Sequence, residues 1–186
     1  VMTDTRMQGK RWLILSTGAL ALALLLPLSA VADCGGGVEN PAIPEATPSE
    51  DFRDRPDGTV LHHPTRLIWQ RCALGQSWDG TSCSGQVQLM NWETALQAAQ
   101  NHTQDGESDW RVPNRNELAS IVESRCHSPA INGEVFPATP TEWFWTGSPN
   151  SANGDQAWVV TSTDGELQPA AISGEYAVRL VRGGRF

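Results

Sequence analysis

Lysine is almost missing from this chain. Its 186 residues hold a single one, Lys10, near the start. The whole sequence carries 13 cations and 21 acids. Setting aside Arg6, Lys10, Arg11 and Asp4 in the first 32 residues leaves ten arginines against twenty carboxylates, a net charge of −10. Nonspecific affinity for DNA or RNA rests on dense phosphate-neutralising cations, so an acidic, lysine-free body excludes nucleic acid as a partner. Also missing are the Gly-x-Ser-x-Gly elbow, the phosphate loop, the His-Glu-x-x-His pair and the EF-hand loop. No Cys-x-x-Cys spacing exists, which argues against a zinc site, and no internal repeat is found. Among the histidines, His62 and His63 are adjacent. In a strand they face opposite sides and cannot readily chelate one ion, and His102 and His127 stand alone.

What is present begins with an export signal over residues 1–32. Lys10 and Arg11 form a basic start, an apolar run reaches Leu28 with Pro27 breaking it, and Ala30-Val31-Ala32 is a small-x-small cleavage site. Met7 is the expected start and Asp33 the expected first mature residue, with no stable membrane insertion after cleavage. An uncleaved anchor is the rival reading. Residues 33–51 alternate proline with acid and lack an apolar period, the pattern of a linker or extended arm. Residues 52–186 form the domain.

Export places the four cysteines in an oxidising compartment, periplasmic, secreted or at the cell surface, where an even count predicts two disulfides. Residues 74–84, rich in Gly, Ser, Thr and Asp, can turn the chain so that Cys72 meets Cys83. Cys34 then pairs with Cys126, and the 33–51 arm folds back along the domain. With every thiol so paired, a cysteine nucleophile is not expected.

Short β-type runs occupy residues 59–62 and 66–70 on either side of a Pro64 turn. Asn91 starts a helix whose Trp92, Ala95, Leu96 and Ala99 make one apolar stripe. A second helix opens with Asn114 as cap and Glu117 three residues on, burying Leu118, Ile121 and Val122. Strands are expected over 157–162 and 177–182. The class is α+β, with two helices packed on short antiparallel strands in a loop-rich, disulfide-stabilised domain.

Asp109-Trp110-Arg111-Val112-Pro113 is the most distinctive string. An extended backbone puts Asp109 and Arg111 on one face and Trp110 on the other, which predicts a buried indole and a charge pair tying neighbouring loops. Trp143-Phe144-Trp145 alternates in the same way. Core packing is the stronger reading of both tryptophans, and stacking on a sugar ring is the alternative. Arg179, Arg182 and Arg185 form the one cationic concentration. Arg179 is expected in an internal ion pair, leaving Arg182 and Arg185 free to meet an anion. Trp143, Trp145, Arg182 and Arg185 are therefore the candidate ligand-binding residues. Trp69, Asp109, Trp110, Arg111, Pro113 and Glu117 are structural, and no residue is assigned to catalysis, metal or cofactor.

These strings resemble a known family. Phe52 with Asp57-Gly58-Thr59-Val60, Leu67-Ile68-Trp69, the run from Cys72 through Trp78-Asp79-Gly80, Trp92-Glu93-Thr94-Ala95, the run from Asp109 to Leu118, Ile131-Asn132, Val135-Phe136-Pro137, Phe144-Trp145 and Val178-Arg179-Leu180-Val181-Arg182-Gly183-Gly184 are similar to the Lcl C-terminal domain family over about residues 52–186. The resemblance implies an exported bacterial protein with a C-type-lectin-like fold, a non-enzymatic module that binds a glycan or a cell-surface protein, as adhesins do. The pattern departs at Arg66, where the family usually turns through Thr-Gly. Calcium-dependent lectins use a Glu-Pro-Asn or Gln-Pro-Asp triplet; here Gln168-Pro169 is followed by Ala170, so no calcium site is expected. The C-terminal string is also similar to the end of the formylglycine-generating enzyme domain, which makes an enzyme the rival expectation and a structural subunit of a surface assembly a third.

Overall fold

A computed structural model describes residues 34–184. The expected export signal with its cleavage site and the candidate Arg185 lie outside the described residues. Among the described residues, eleven short strands, two α-helices and one 3-10 turn at Ser49–Asp51 follow one another. β1 (Val38–Glu39), β2 (Phe52–Asp54), β3 (Thr59–His62), β4 (Leu67–Gln70), β5 (Ser77–Trp78) and β6 (Cys83–Ser84) precede α1 (Trp92–Gln100) and α2 (Arg115–Ala119). β7 (Cys126–His127), β8 (Trp143–Pro149), β9 (Gln156–Thr161), β10 (Leu167–Ala171) and β11 (Val181–Gly183) complete the domain.

Antiparallel pairing joins these strands into a four-stranded sheet in the order β11-β4-β3-β2, a three-stranded sheet in the order β10-β9-β8, and the two ribbons β1-β7 and β5-β6. Strands therefore flank the helices on both sides in sequence; the runs expected over 59–62 and 66–70 form β3 and β4, and short strands not read from the sequence add to them. The strand expected over 177–182 shortens to β11, because residues 177–180 take only isolated bridges and loop contacts: Phe144 pairs with Ala177, and Leu180 accepts from Gln70 N–H.

Both helix starts are as read. Asn91 caps α1 by accepting from Thr94 N–H. Asn114 caps α2 in a reciprocal box with Glu117, which satisfies orphan N–H groups at the helix start. Ala95 and Ala99 are buried, but Leu96 of the predicted stripe is exposed, so the buried seam of α1 rests mainly on alanines and Trp92.

Strand alternation divides the core in two. Phe144 and Val160 join Phe52, Trp69, Leu118, Ile121 and Phe136 in one cluster. Trp145 and Val159, one residue along, join Trp110, Val178, Leu180 and the α1 alanines in the other.

The arm over 34–51 is docked along the domain. Cys34 is bonded to Cys126, and Val38 and Glu39 pair with His127 and Cys126. Glu123, fully buried, receives Ala46 N–H, Thr47 N–H and the Thr47 hydroxyl. Arg66 occupies the β3–β4 turn at φ 58°, the left-handed region that glycine adopts without strain. The turn therefore survives the departure from Thr-Gly.

Candidate functional site

The distinctive 109–113 string is structural, with partners other than those expected. Trp110 is buried. Arg111 and Asp109 do not pair with each other. Arg111 makes two 2.7 Å bonds to the Glu117 carboxylate and a third to the Gly183 carbonyl, while Asp109 accepts from Arg182 Nε at 2.7 Å. A shared strand face is not sufficient for pairing, because Val181 and its neighbours bring a second arginine to the same place.

Of the ligand candidates named from the sequence, Trp143, Trp145 and Arg182 are described, and each is engaged within the protein. Trp145 is 0% exposed and donates its indole N–H to Met90 O, so it is a core residue. Trp143 is half-buried against the same cluster. Arg182 is not free: Glu107 and Asp109 both hold it at 2.7 Å, and its guanidinium lies over Trp110.

Arg179 has no carboxylate partner among the described residues, contrary to the ion pair expected. Its charge is met by the carbonyls of Gln70 and Arg71, the Thr139 hydroxyl and the faces of Phe136 and Phe144. Complete burial pushes the guanidinium down to about 9. Among the described residues no three His, Cys, Asp or Glu side chains gather as a metal-ligand group.

Several concavities open among the described residues. One, beside Ile121, Phe144 and Arg179, is a small space lined by core residues. Another borders Leu61, His63 and Arg66. A groove beside α1 is lined by Leu96, Asp109 and Arg111, and there Asp109 and Arg111 are already committed to Arg182 and Glu117.

A further cleft, of about 440 Å³, is bordered by Asp57, Gly58, Gln70, Trp78, His102 and Gln104. Each wall has a local cause. Gln70 ends β4, opposite Thr59 of β3, and its side chain is only 6% exposed. Trp78 lies on β5 opposite Cys83, and the Cys72–Cys83 disulfide ties that hairpin to the strand end two residues past Gln70. The half-buried indole carries the Arg71 guanidinium on its ring, 4.9 Å from the centroid, and Arg71 also pairs with Asp54. Gly58, at φ 77°, lets the backbone pass: a Cβ there would come within 2.8 Å of Trp78. His102 follows the end of α1, and Gln104 sits in a turn closed by paired bonds with Glu107.

The amides are wired in one direction. Gln104 Nε2 donates to Asp57 O at 2.6 Å, so its Oε1 faces Gln70 and accepts from Gln70 Nε2 at 2.7 Å. Gln70 Nε2 also meets His102 Nε2 at 2.6 Å. Because Asp57 O can only accept, the orientation of both amides is fixed, and His102 Nε2 must be the acceptor, with its proton on Nδ1. Asp57's own carboxylate takes Thr59 N–H and Oγ1 and faces Arg55. Burial by itself would raise its pKa, but those bonds and the Arg55 charge outweigh it and hold the group below the usual carboxylate range.

Sequence reasoning passed over Gln70, Trp78, His102 and Gln104 as site residues. The available signal was a tryptophan placed inside a small disulfide loop. The glutamines carry no motif, and only folding brings residues 70 and 104 together.

The profile of the Lcl C-terminal domain matches residues 58–182. The chain belongs to the Lcl C-terminal domain family. No curated protein matches it. The Lcl C-terminal domain span takes in Gln70, Trp78, His102 and Gln104, and it includes Cys126 but not Cys34, so the first disulfide staples the Lcl C-terminal domain to an arm outside the matched region.

Proposed function

We propose that this protein is an exported, non-enzymatic recognition module that binds a glycan or a surface partner at the Trp78 cleft, on the C-type-lectin-like scaffold the family resemblance implies. The observation that carries this reading is the cleft's composition. An aromatic platform stands beside polar groups pinned by their own network, the usual make-up of a site that orients a ligand without transforming it. The two disulfides fit an oxidising, extracytoplasmic setting. No helix among the described residues is long and apolar enough to cross a membrane.

The enzyme alternative would draw on redox cysteines, and all four are joined in disulfides. A glycan array probed with the oxidised mature protein and with Trp78→Ala tests the reading. Binding that depends on Trp78 supports it. Equal binding by the variant, or reactive thiols in the oxidised protein, counts against it.

A further inference from the structure

Gln70 is 6% exposed and spends both amide hydrogens inside the protein, on Gln104 and His102. Its Oε1 has no protein partner among the described residues and is not among the buried unpaired atoms, so it is open to an incoming donor. Two donors on the same cleft are equally unspent: the His102 Nδ1–H that the amide chain requires, and the Trp78 indole N–H. The cleft therefore offers one fixed acceptor, two donors and an aromatic edge.

It offers no free charge. Asp57 is held by Thr59 through Oδ1 and faces Arg55 through Oδ2, and Arg71 pairs with Asp54 and lies over the Trp78 ring. An anion would meet the Gln70 carbonyl oxygen and the adjacent Asp57 with no unengaged cation to offset them. A cation would find no unengaged carboxylate. A ring with alternating hydroxyl donors and acceptors and one apolar face meets every one of these groups.

Resting on the recognition reading above, we infer that the cleft takes an uncharged sugar, with a hydroxyl donating to Gln70 Oε1 and the ring lying against Trp78.

The test follows the Trp78 indole and Gln70 side-chain NMR signals of the oxidised mature protein while methyl glycosides of glucose, galactose, mannose and N-acetylglucosamine are added, with glucuronate and a sulfated hexose as the charged set. The expected result is that at least one neutral glycoside shifts both signals. Its affinity should fall about tenfold in Gln70→Leu, the loss of one hydrogen bond. Trp78→Phe keeps a ring without the indole N–H and decides the point if Gln70→Leu fails to fold: weakened binding supports the inference and unchanged binding opposes it. Shifts from the charged set alone overturn it. If the array finds a glycan while no sugar moves these two signals, the inference falls and the recognition reading stands. A blank array with a silent cleft removes both.

Discussion

Arg111 holds Glu117 through two parallel hydrogen bonds of 2.7 Å each, and the same carboxylate closes the α2 cap by accepting from Asn114 N–H. One ion pair thus fixes the start of α2 to the segment that buries Trp110, and through Gly183 O it also grips β11. A bidentate guanidinium–carboxylate pair is directional, so Lys at position 111 would be a poor replacement.

Trp110→Ala is expected to destabilise the domain by about 3 to 5 kcal/mol, since it empties a large buried volume. Arg111→Ala should cost about 1.5 to 3 kcal/mol, the range for hydrogen bonds to charged groups. Denaturant melts of the two variants check both. Parent-like melts with lost ligand binding would mark the string as functional instead.

Stability should fall in acid. Burial pushes Glu117 upward, but the bonds from Arg111 and Asn114 N–H outweigh it and hold its pKa below the ordinary range. Glu123 is also depressed: burial raises it, while N–H groups of Arg125, Ala46 and Thr47 and the Thr47 hydroxyl lower it further. Groups depressed in the folded state contribute fully above the unfolded carboxylate value of about 4 and lose that contribution as pH drops through the folded values. Glu45, raised by burial and by neighbouring Glu123, runs the other way. Melting temperature against pH should therefore decline below about pH 4, and Glu117→Gln should flatten the decline.

The arm should behave as part of the domain. Replacing Cys34 and Cys126 by serine releases a crosslink spanning 92 residues and is expected to cost about 4 kcal/mol. Proteolysis between residues 35 and 45 should accelerate with it. Unchanged protease resistance would show that Glu123 holds the arm unaided. Peptide mapping that found Cys34 joined to Cys72 would contradict the pairing.

Arg66→Gly should stabilise the protein by up to about 1 kcal/mol. Relief of the left-handed strain exceeds the extra unfolded-state freedom that glycine brings. The Arg66 side chain is exposed, so little contact is lost. A lower melting temperature for the variant would refute this.

Heparin should bind weakly at physiological ionic strength. Residues 33–186 carry a net charge of −10, Arg179 is buried, and Arg182 is held by two carboxylates. Opening those pairs for a sulfate would gain little against the surrounding negative charge. Retention on a heparin column into several hundred millimolar salt would overturn this, and a Glu107→Ala, Asp109→Ala variant should raise retention.

The sequence by itself determined whatever depends on neighbours along the chain. The caps at Asn91 and Asn114, the Pro64 turn between β3 and β4, the opposed faces of Phe144 and Trp145, and the small Cys72–Cys83 loop all follow from local backbone chemistry and the two-residue period of a strand. Tertiary structure decided which charges meet. Asp109 and Arg111 are two residues apart, yet they take partners 73 and 6 residues away, because β11 delivers Arg182 to Asp109 while α2 presents Glu117 to Arg111. The same holds for the cleft. Gln70 and Gln104 are 34 residues apart, and neither belongs to a recognisable motif. Their roles come from the Asp57 carbonyl, a backbone group that looks alike at every position in a sequence and acquires direction only when the chain is folded.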